Sequence, residues 1–303
     1  MPPYRIMTFD GGGVKGSLMA TLVKRISDKF PDLLQQVDLY AGTSTGSVVA
    51  LTLASGFSAD TLVNFYSQDN LRSAFSPSRF NWFRPKYSNS NFRSLLESHF
   101  PGNPTIGDLK KHNLVAPTFK LDSPKKHDWC PVFTHNFPGS HHLNELVVDV
   151  ALRSAAAPTV FPSHQGHIDG GMVANNPSTV AIAMALGHRK PRPALEDIRL
   201  LSVGTGLTPT IITLDTQGWG VVQWLLNPFR KPQNPLLNIL FDGVCEADVS
   251  MSKHLLGAHS WRLNPLLAQQ TELDDWKAIP QLVKTAEDYD LGPTCDWIEK
   301  NWN

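Results

Sequence analysis

The 303-residue chain is long enough to bury a large core, and its 41% hydrophobic and 18% charged residues suit a globular protein and not a disordered one. Lysine plus arginine and aspartate plus glutamate each total 27, so the formal net charge is zero. That excludes a global basic field for nucleic acid or an anionic membrane, and leaves such contacts to local patches.

Cys130, Cys245 and Cys295 are odd in number and widely spaced. They argue for a reducing compartment over a disulfide framework. The first ten residues lack the basic-then-apolar pattern of a signal peptide, and the apolar windows 48–53 and 181–186 are too short to span a bilayer. The expected setting is cytoplasmic, with peripheral contact at membranes during action.

Residues 5–9 form a short apolar run that predicts a buried strand, and glycines follow at once in "FDGGGVKGS". Gly11, Gly13 and Gly16 fit G-x-G-x-x-G, a spacing that serves either a dinucleotide phosphate or an oxyanion. Leu18, Leu22, Ile26 and Phe30, flanked by Met19 and Val23, then predict an amphipathic helix of about four turns. A second strand is read over 37–41 and an all-round apolar, hence central, helix over 47–53. Strand–helix–strand–helix order implies parallel pairing with right-handed crossovers, and so an α/β sandwich.

Between that second strand and its helix stands Gly42-Thr43-Ser44-Thr45-Gly46, a G-x-S-x-G sequence in the strand–turn–helix context of a nucleophile elbow. A sharp turn there lifts the Ser44 hydroxyl out of the sheet, while Gly42 and Gly46 let strand and helix approach closely. The following helix brings its positive N-terminal end to any developing oxyanion.

Farther along, residues 69–93 mix Phe75, Phe80, Trp82, Phe83, Tyr87 and Phe92 with Arg72, Arg79, Arg84, Lys86 and Arg93. Such a segment suits transient contact with a membrane interface, or else a long loop whose aromatics pack onto the core. Helices are expected over 90–100, 143–153, 177–186 and 235–256, and strands over 115–121, 130–136 and 198–203. No internal repeat or separating linker interrupts the chain.

A serine nucleophile needs a base, and none of the eleven histidines stands at an expected position. His164 and His167 with Asp169 spell H-x-x-H-x-D, but no further ligand cluster supports zinc, and H-E-x-x-H is absent. Asp169-Gly170-Gly171 reads alone as a turn capped by an aspartate.

Taken together, the glycine loop Asp10–Gly16, the elbow Gly42–Gly46 and "DGGMVANNP" from Asp169 to Pro177 resemble the patatin-like phospholipase family. "RSAAAPTVFP" (153–162) and "LLSVGTG" (200–206) extend the resemblance, with weaker echoes in "KYSNSNFRSLL" and "LLNILFDGVCEADV". Lys15 stands where many members carry arginine. The resemblance implies a single large α/β domain, a mainly parallel sheet between helices. Residues 5–180 would form the catalytic core, and 181–303 the remainder that completes the sheet and lines the groove.

It also implies that Ser44 is the nucleophile and Asp169 its base, a dyad without histidine, with Gly11, Gly12 and Gly13 as the oxyanion hole. Gly16, Gly42, Gly46, Gly170 and Gly171 would shape the turns. Asp10 is expected either to anchor the loop through backbone N–H bonds or to be a plain turn residue. Lys15 would face solvent or a lipid phosphate. The implied reaction is hydrolysis of phospholipid acyl esters through an acyl-enzyme, needing neither metal nor organic cofactor, in a protein that is signal-regulated in some bacterial members.

Acyl transfer through the same acyl-enzyme, and a lipid-binding regulatory protein, are the other readings. A Walker loop fails because Lys15 precedes Gly16. A dinucleotide fold fails because Asp28 and Asp32 come before the second strand, not at its tip.

Overall fold

The computed structural model describes residues 2–78, 83–122, 128–208, 212, 215–225 and 235–302. Strand β1 (Tyr4–Phe9) runs into the glycine loop and helix α1 (Gly16–Lys29), and the short α2 (Leu33–Gln36) leads to β2 (Leu39–Gly42). Helix α3 (Thr45–Ala54) follows the elbow with all ten residues buried, as a helix apolar on every side must be. Next come α4 (Ala59–Phe65), α5 (Gln68–Ala74) and α6 (Ser90–His99), then β3 (Asn113–Lys120) and β4 (Cys130–His135). Helix α7 (Val147–Ser154), β5 (His167–Asp169), α8 (Gly171–Ala174) and α9 (Ser178–His188) carry the chain to β6 (Ile198–Val203). The last elements are α10 (Val221–Leu225), α11 (Pro235–Leu256), β7 (Ser260–Leu263), α12 (Ile279–Asp288) and α13 (Gly292–Asn301).

The sheet order is β4-β3-β2-β1-β6-β7, with β5 also paired to β3. Pairing is parallel from β3 through β7, while β4 and β5 lie antiparallel to β3, so the sheet is mixed and mostly parallel. Register aligns Phe9 with both Gly42 and Val203, which sets the glycine loop and the elbow side by side at the carboxyl ends of adjacent strands. Ligand sites in open α/β sheets form at that edge. Apolar clusters cover both faces: one around Phe9, Leu18, Tyr40 and Val49, the other around Ile6, Leu39, Ile182 and Leu200. Among the described residues no helix is long and apolar enough to cross a membrane.

The helix expected over 143–153 begins only at Val147. Leu146 is instead extended and bridges Thr105 antiparallel, flanked by Ile106 N–H to Glu145 O (2.8 Å) and Val147 N–H to Pro104 O (2.9 Å). Strands β5 and β7 have three and four residues, too few to show a two-residue period. Helix α12 was not anticipated although Ile279, Leu282 and Ala286 are buried at helical spacing, a signal the sequence does carry.

Candidate active site

Ser44 sits between β2 and α3 with φ 53° and ψ −121°, a strained conformation for a non-glycine residue. Its surroundings hold it there. A side chain on Gly42 would strike the carbonyl of Gly46, and one on Gly46 would strike the carbonyls of Phe9 and Asp10. The Ser44 N–H donates to Ser154 Oγ (3.0 Å), whose own hydroxyl donates to Pro117 O (2.8 Å). Thr43 donates its hydroxyl to Ala174 O (2.6 Å), fastening the elbow to the segment behind Asp169.

Strand β5 pairs Asp169 with Thr118 and brings its carboxylate beside the Ser44 side chain. Gly171 N–H donates to Asp169 Oδ1 (2.7 Å), and Asp169 N–H is fixed on Ala156 O (3.0 Å). The side chain is buried. Burial pushes its pKa up to about 6, and the bond from Gly171 and the Ser44 side chain hold it from rising further. Gly170 packs on the Pro117 carbonyl, and the Phe241 ring of α11 occupies the space a side chain on Gly171 would need.

The glycine loop is fastened at nearly every peptide. Asp10 N–H donates to Val203 O (3.2 Å), Val14 N–H to Leu273 O (2.8 Å) and Lys15 N–H to Gly12 O (3.2 Å). Thr205 Oγ1 donates to Gly11 O (3.1 Å). Gly13 takes φ +57°, and a side chain there would collide with Leu273 O. Among the described residues, no acceptor takes the N–H of Gly12 or Gly13, and Gly13 lines the same cleft as Ser44.

Three expectations change. Gly11 is not a free donor, because its N–H is spent on Asn175 O (2.9 Å); it lies beside Ser44 and brings the loop close. Asp10 does not anchor the loop by accepting backbone N–H groups; its buried carboxylate accepts from Arg262 Nη1 (2.9 Å), Arg262 Nη2 and the Cys245 thiol (3.3 Å). Lys15 turns inward, half-buried, where burial lowers its pKa while Asp242, Asp10, Cys245 and Glu272 oppose that shift. Gly16 opens α1 against Tyr66 and Thr45.

A cleft leads from Ser44 between Val48, Phe65, Tyr66, Phe75, Phe161 and Leu273, so its walls are almost wholly apolar. The Tyr66 hydroxyl accepts from Thr45 Oγ1 (2.9 Å) and donates to Thr45 O (2.7 Å), clasping the residue after the nucleophile. In the 69–93 segment, Phe75, Tyr87 and Phe92 pack around Phe161. Its charge is largely spent internally: Lys86 pairs with Asp274, Arg93 with Asp149 (2.7 Å), and Arg72 lies over Trp276. Phe83 is 96% exposed, while Arg79, Phe80 and Trp82 lie outside the described residues.

His164 and Asp169 belong to separate networks, for His164 Nε2 bonds Asp149 (2.8 Å) and His167 Nδ1 bonds Gln165 O (2.8 Å). No group of three or more metal-ligating side chains occurs among the described residues. Ser154 and Thr205 fall inside quoted motifs but carry no assigned role there, and Tyr66 and Arg262 lie outside every motif; all four stand far in sequence from the loops they brace.

Residues 7–182 match the family model described as patatin-like phospholipase. A Bacillus subtilis protein named as a candidate sporulation hydrolase, CotR, is 38% identical over 322 residues, covering all of this chain and 99% of its own. Protein teg of Priestia megaterium is 38% identical over 323 residues, with both chains covered completely. A cGAMP-activated phospholipase of Pseudomonas aeruginosa is 29% identical over 216 residues, or 68% of this chain and 63% of the relative.

Proposed function

The chain belongs to the patatin-like phospholipase family, a family of lipid hydrolases, and from that premise we propose that it cleaves lipid acyl esters through a Ser44–Asp169 dyad. The observation that carries this reading is the strained Ser44 set beside the buried Asp169 carboxylate, at the mouth of an apolar cleft.

The acyl chain lies in the cleft with its carbonyl carbon over Ser44. As Ser44 Oγ attacks, its proton passes to Asp169, and charge gathers on the carbonyl oxygen. The N–H groups of Gly12 and Gly13 receive that oxygen, aided by the N-terminal end of α3 at Thr45. Collapse of the tetrahedral intermediate expels the alcohol, which takes the proton from Asp169. Water then attacks the acyl-enzyme with Asp169 again as base, and the acid departs as Asp169 returns that proton to Ser44 Oγ. A carboxylate is a weaker base than imidazole, and a pKa raised to about 6 brings it closer to the working range. Since the ionised form is required, kcat/KM rises with pH through about 6 and then levels.

Contact with the lipid surface falls to the 69–93 segment, where Phe83 stands exposed. The test is hydrolysis of phosphatidylcholine vesicles and p-nitrophenyl esters by wild type, Ser44→Ala and Asp169→Ala. Both substitutions abolish turnover on this reading. An Asp169→Ala variant with near-full activity, alongside a single histidine substitution that kills it, would overturn the dyad. With excess acceptor alcohol, mainly hydrolysed product is expected; mainly transferred product would make the protein an acyltransferase.

A further inference from the structure

Beneath the glycine loop lies a largely buried polar ring that no reaction step above touches. Arg262 on β7 reaches both oxygens of Asp10 and donates from Nη1 to Ser202 Oγ (2.9 Å) on β6. Ser202 Oγ also accepts from Asn176 Nδ2 (3.2 Å), and the neighbouring Asn175 accepts the Gly11 N–H (2.9 Å). The circuit therefore runs Asp10, Arg262, Ser202, Asn176, Asn175, Gly11 and back to Asp10. Asn176 Oδ1 holds Ser178 N–H (2.9 Å), and Ser178 Oγ meets Thr8 Oγ1 (2.9 Å), tying the ring to β1.

We propose that Arg262 is a positioning residue for oxyanion stabilisation: through Asp10 it fixes the glycine loop so that the Gly12 and Gly13 N–H groups point at the oxygen forming over Ser44. This rests on the Ser44–Asp169 reading. An ion pair with one partner buried and the other mostly so seldom improves stability over well-packed apolar side chains of the same size, so stability alone does not account for this one. Its placement does. Asp10 begins the loop, and with three donors on its carboxylate it cannot turn without breaking several bonds. The ring closes one residue before the two peptides whose N–H groups are left for the reaction. It also joins the loop to Asn175 and Asn176, six and seven residues beyond Asp169, so donors and base share one frame. Lysine cannot replace Arg262 fully, because an ammonium does not span two carboxylate oxygens and Ser202 in one planar fork.

The test is steady-state hydrolysis of p-nitrophenyl butyrate by wild type, Arg262→Lys, Arg262→Gln, Asp10→Asn and the double variant Asp10→Asn/Arg262→Gln. A misplacement of about 1 Å at a reacting centre costs on the order of 100-fold. Arg262→Gln is therefore expected to lower kcat about 100-fold with KM within about threefold, the pattern of an interaction made only in the transition state. Arg262→Lys falls between it and wild type, and the double variant is no worse than the poorer single. The ³¹P resonance of a phosphonate adduct on Ser44, whose oxygen occupies the same hole, moves in Arg262→Gln. Wild-type kcat in either Arg262 variant, a loss confined to KM, losses that multiply in the double variant, or an unmoved ³¹P resonance would each overturn the proposal. Should Arg262→Gln fail to fold, Arg262→Lys supplies the kinetic and ³¹P comparison. Wild-type protein that neither hydrolyses the ester nor takes the phosphonate would overturn the Ser44 reading, and this proposal with it.

Discussion

The elbow and the glycine loop face each other across the same reacting centre but are shaped differently. The elbow carries its bend within its own five residues, Gly42 lying on the Gly46 carbonyl and Ser44 strained by the turn that presents it, while Ser154, Ala174 and the Phe9 and Asp10 carbonyls hold it from outside. The glycine loop has little local support and depends on groups remote in sequence, namely Val203, Thr205, Arg262, Leu273 and Asn175. A short motif can specify the first kind of turn almost completely. The second kind needs the whole fold around it.

The largest effect separates chemistry from support. Ser44→Ala removes the nucleophile and leaves both loops standing, so ester hydrolysis falls by about 10⁴-fold or more while the melting temperature stays near wild type. A comparable loss of stability would mean that the hydroxyl braces the elbow. Gly46→Ala attacks the elbow's local geometry, forcing a methyl into the carbonyls of Phe9 and Asp10. Overpacking against backbone at this position is expected to cost roughly 3 kcal/mol, read as a lowered urea midpoint. A near-neutral result would show that the elbow and the end of β1 can move apart at little cost.

Asp169 links the two loops and gives a pH signature. Its pKa is raised from 3.8 to about 6 by burial, so the folded state binds the proton more tightly than the unfolded chain. The associated stability is present below about pH 4 and lost as pH rises through 6, in total about 3 kcal/mol. Asp248 is raised to about 6 as well, by burial against the Thr179 bonds, so the wild-type slope contains both groups. Comparing Asp169→Asn with wild type by urea unfolding at pH 4 and pH 7.5 isolates the first. The variant should gain relative to wild type at the higher pH; parallel curves would mean the carboxyl is not raised.

Smaller again is Tyr66→Phe, which removes the clasp on Thr45 at a cost of about 1 kcal/mol, measured by urea unfolding, with a few-fold fall in kcat. Smallest is Phe83→Ser, expected to lower turnover on vesicles more than on soluble short-chain esters. Equal losses on both would remove the 69–93 segment from lipid contact.

What was legible in the sequence follows the same division. Phe9 into Asp10, the G-x-S-x-G turn and the all-apolar α3 are local patterns, and they placed β1, β2 and the elbow directly. Ser44, Asp169 and the glycine loop were marked by motifs, and the fold sets them together. The share of the loop's N–H groups was not legible: Gly11 looks identical to Gly12 and Gly13 in sequence, and only Asn175 O distinguishes it. Arg262 lies on a four-residue strand with no surrounding pattern, so its role depends on the pairing of β7 with β6. The aromatics of 69–93 carried no sign of direction, and Phe75, Tyr87 and Phe92 turn inward because Phe161, far along the chain, is there to receive them.

The most direct measurement titrates the wild-type protein with an alkyl fluorophosphonate, follows residual ester hydrolysis, and maps the adduct by peptide mass spectrometry. One adduct per chain on Ser44, with hydrolysis lost in proportion, is the predicted result. Complete modification of Ser44 with hydrolysis intact, or complete inactivation with Ser44 unmodified, would contradict it.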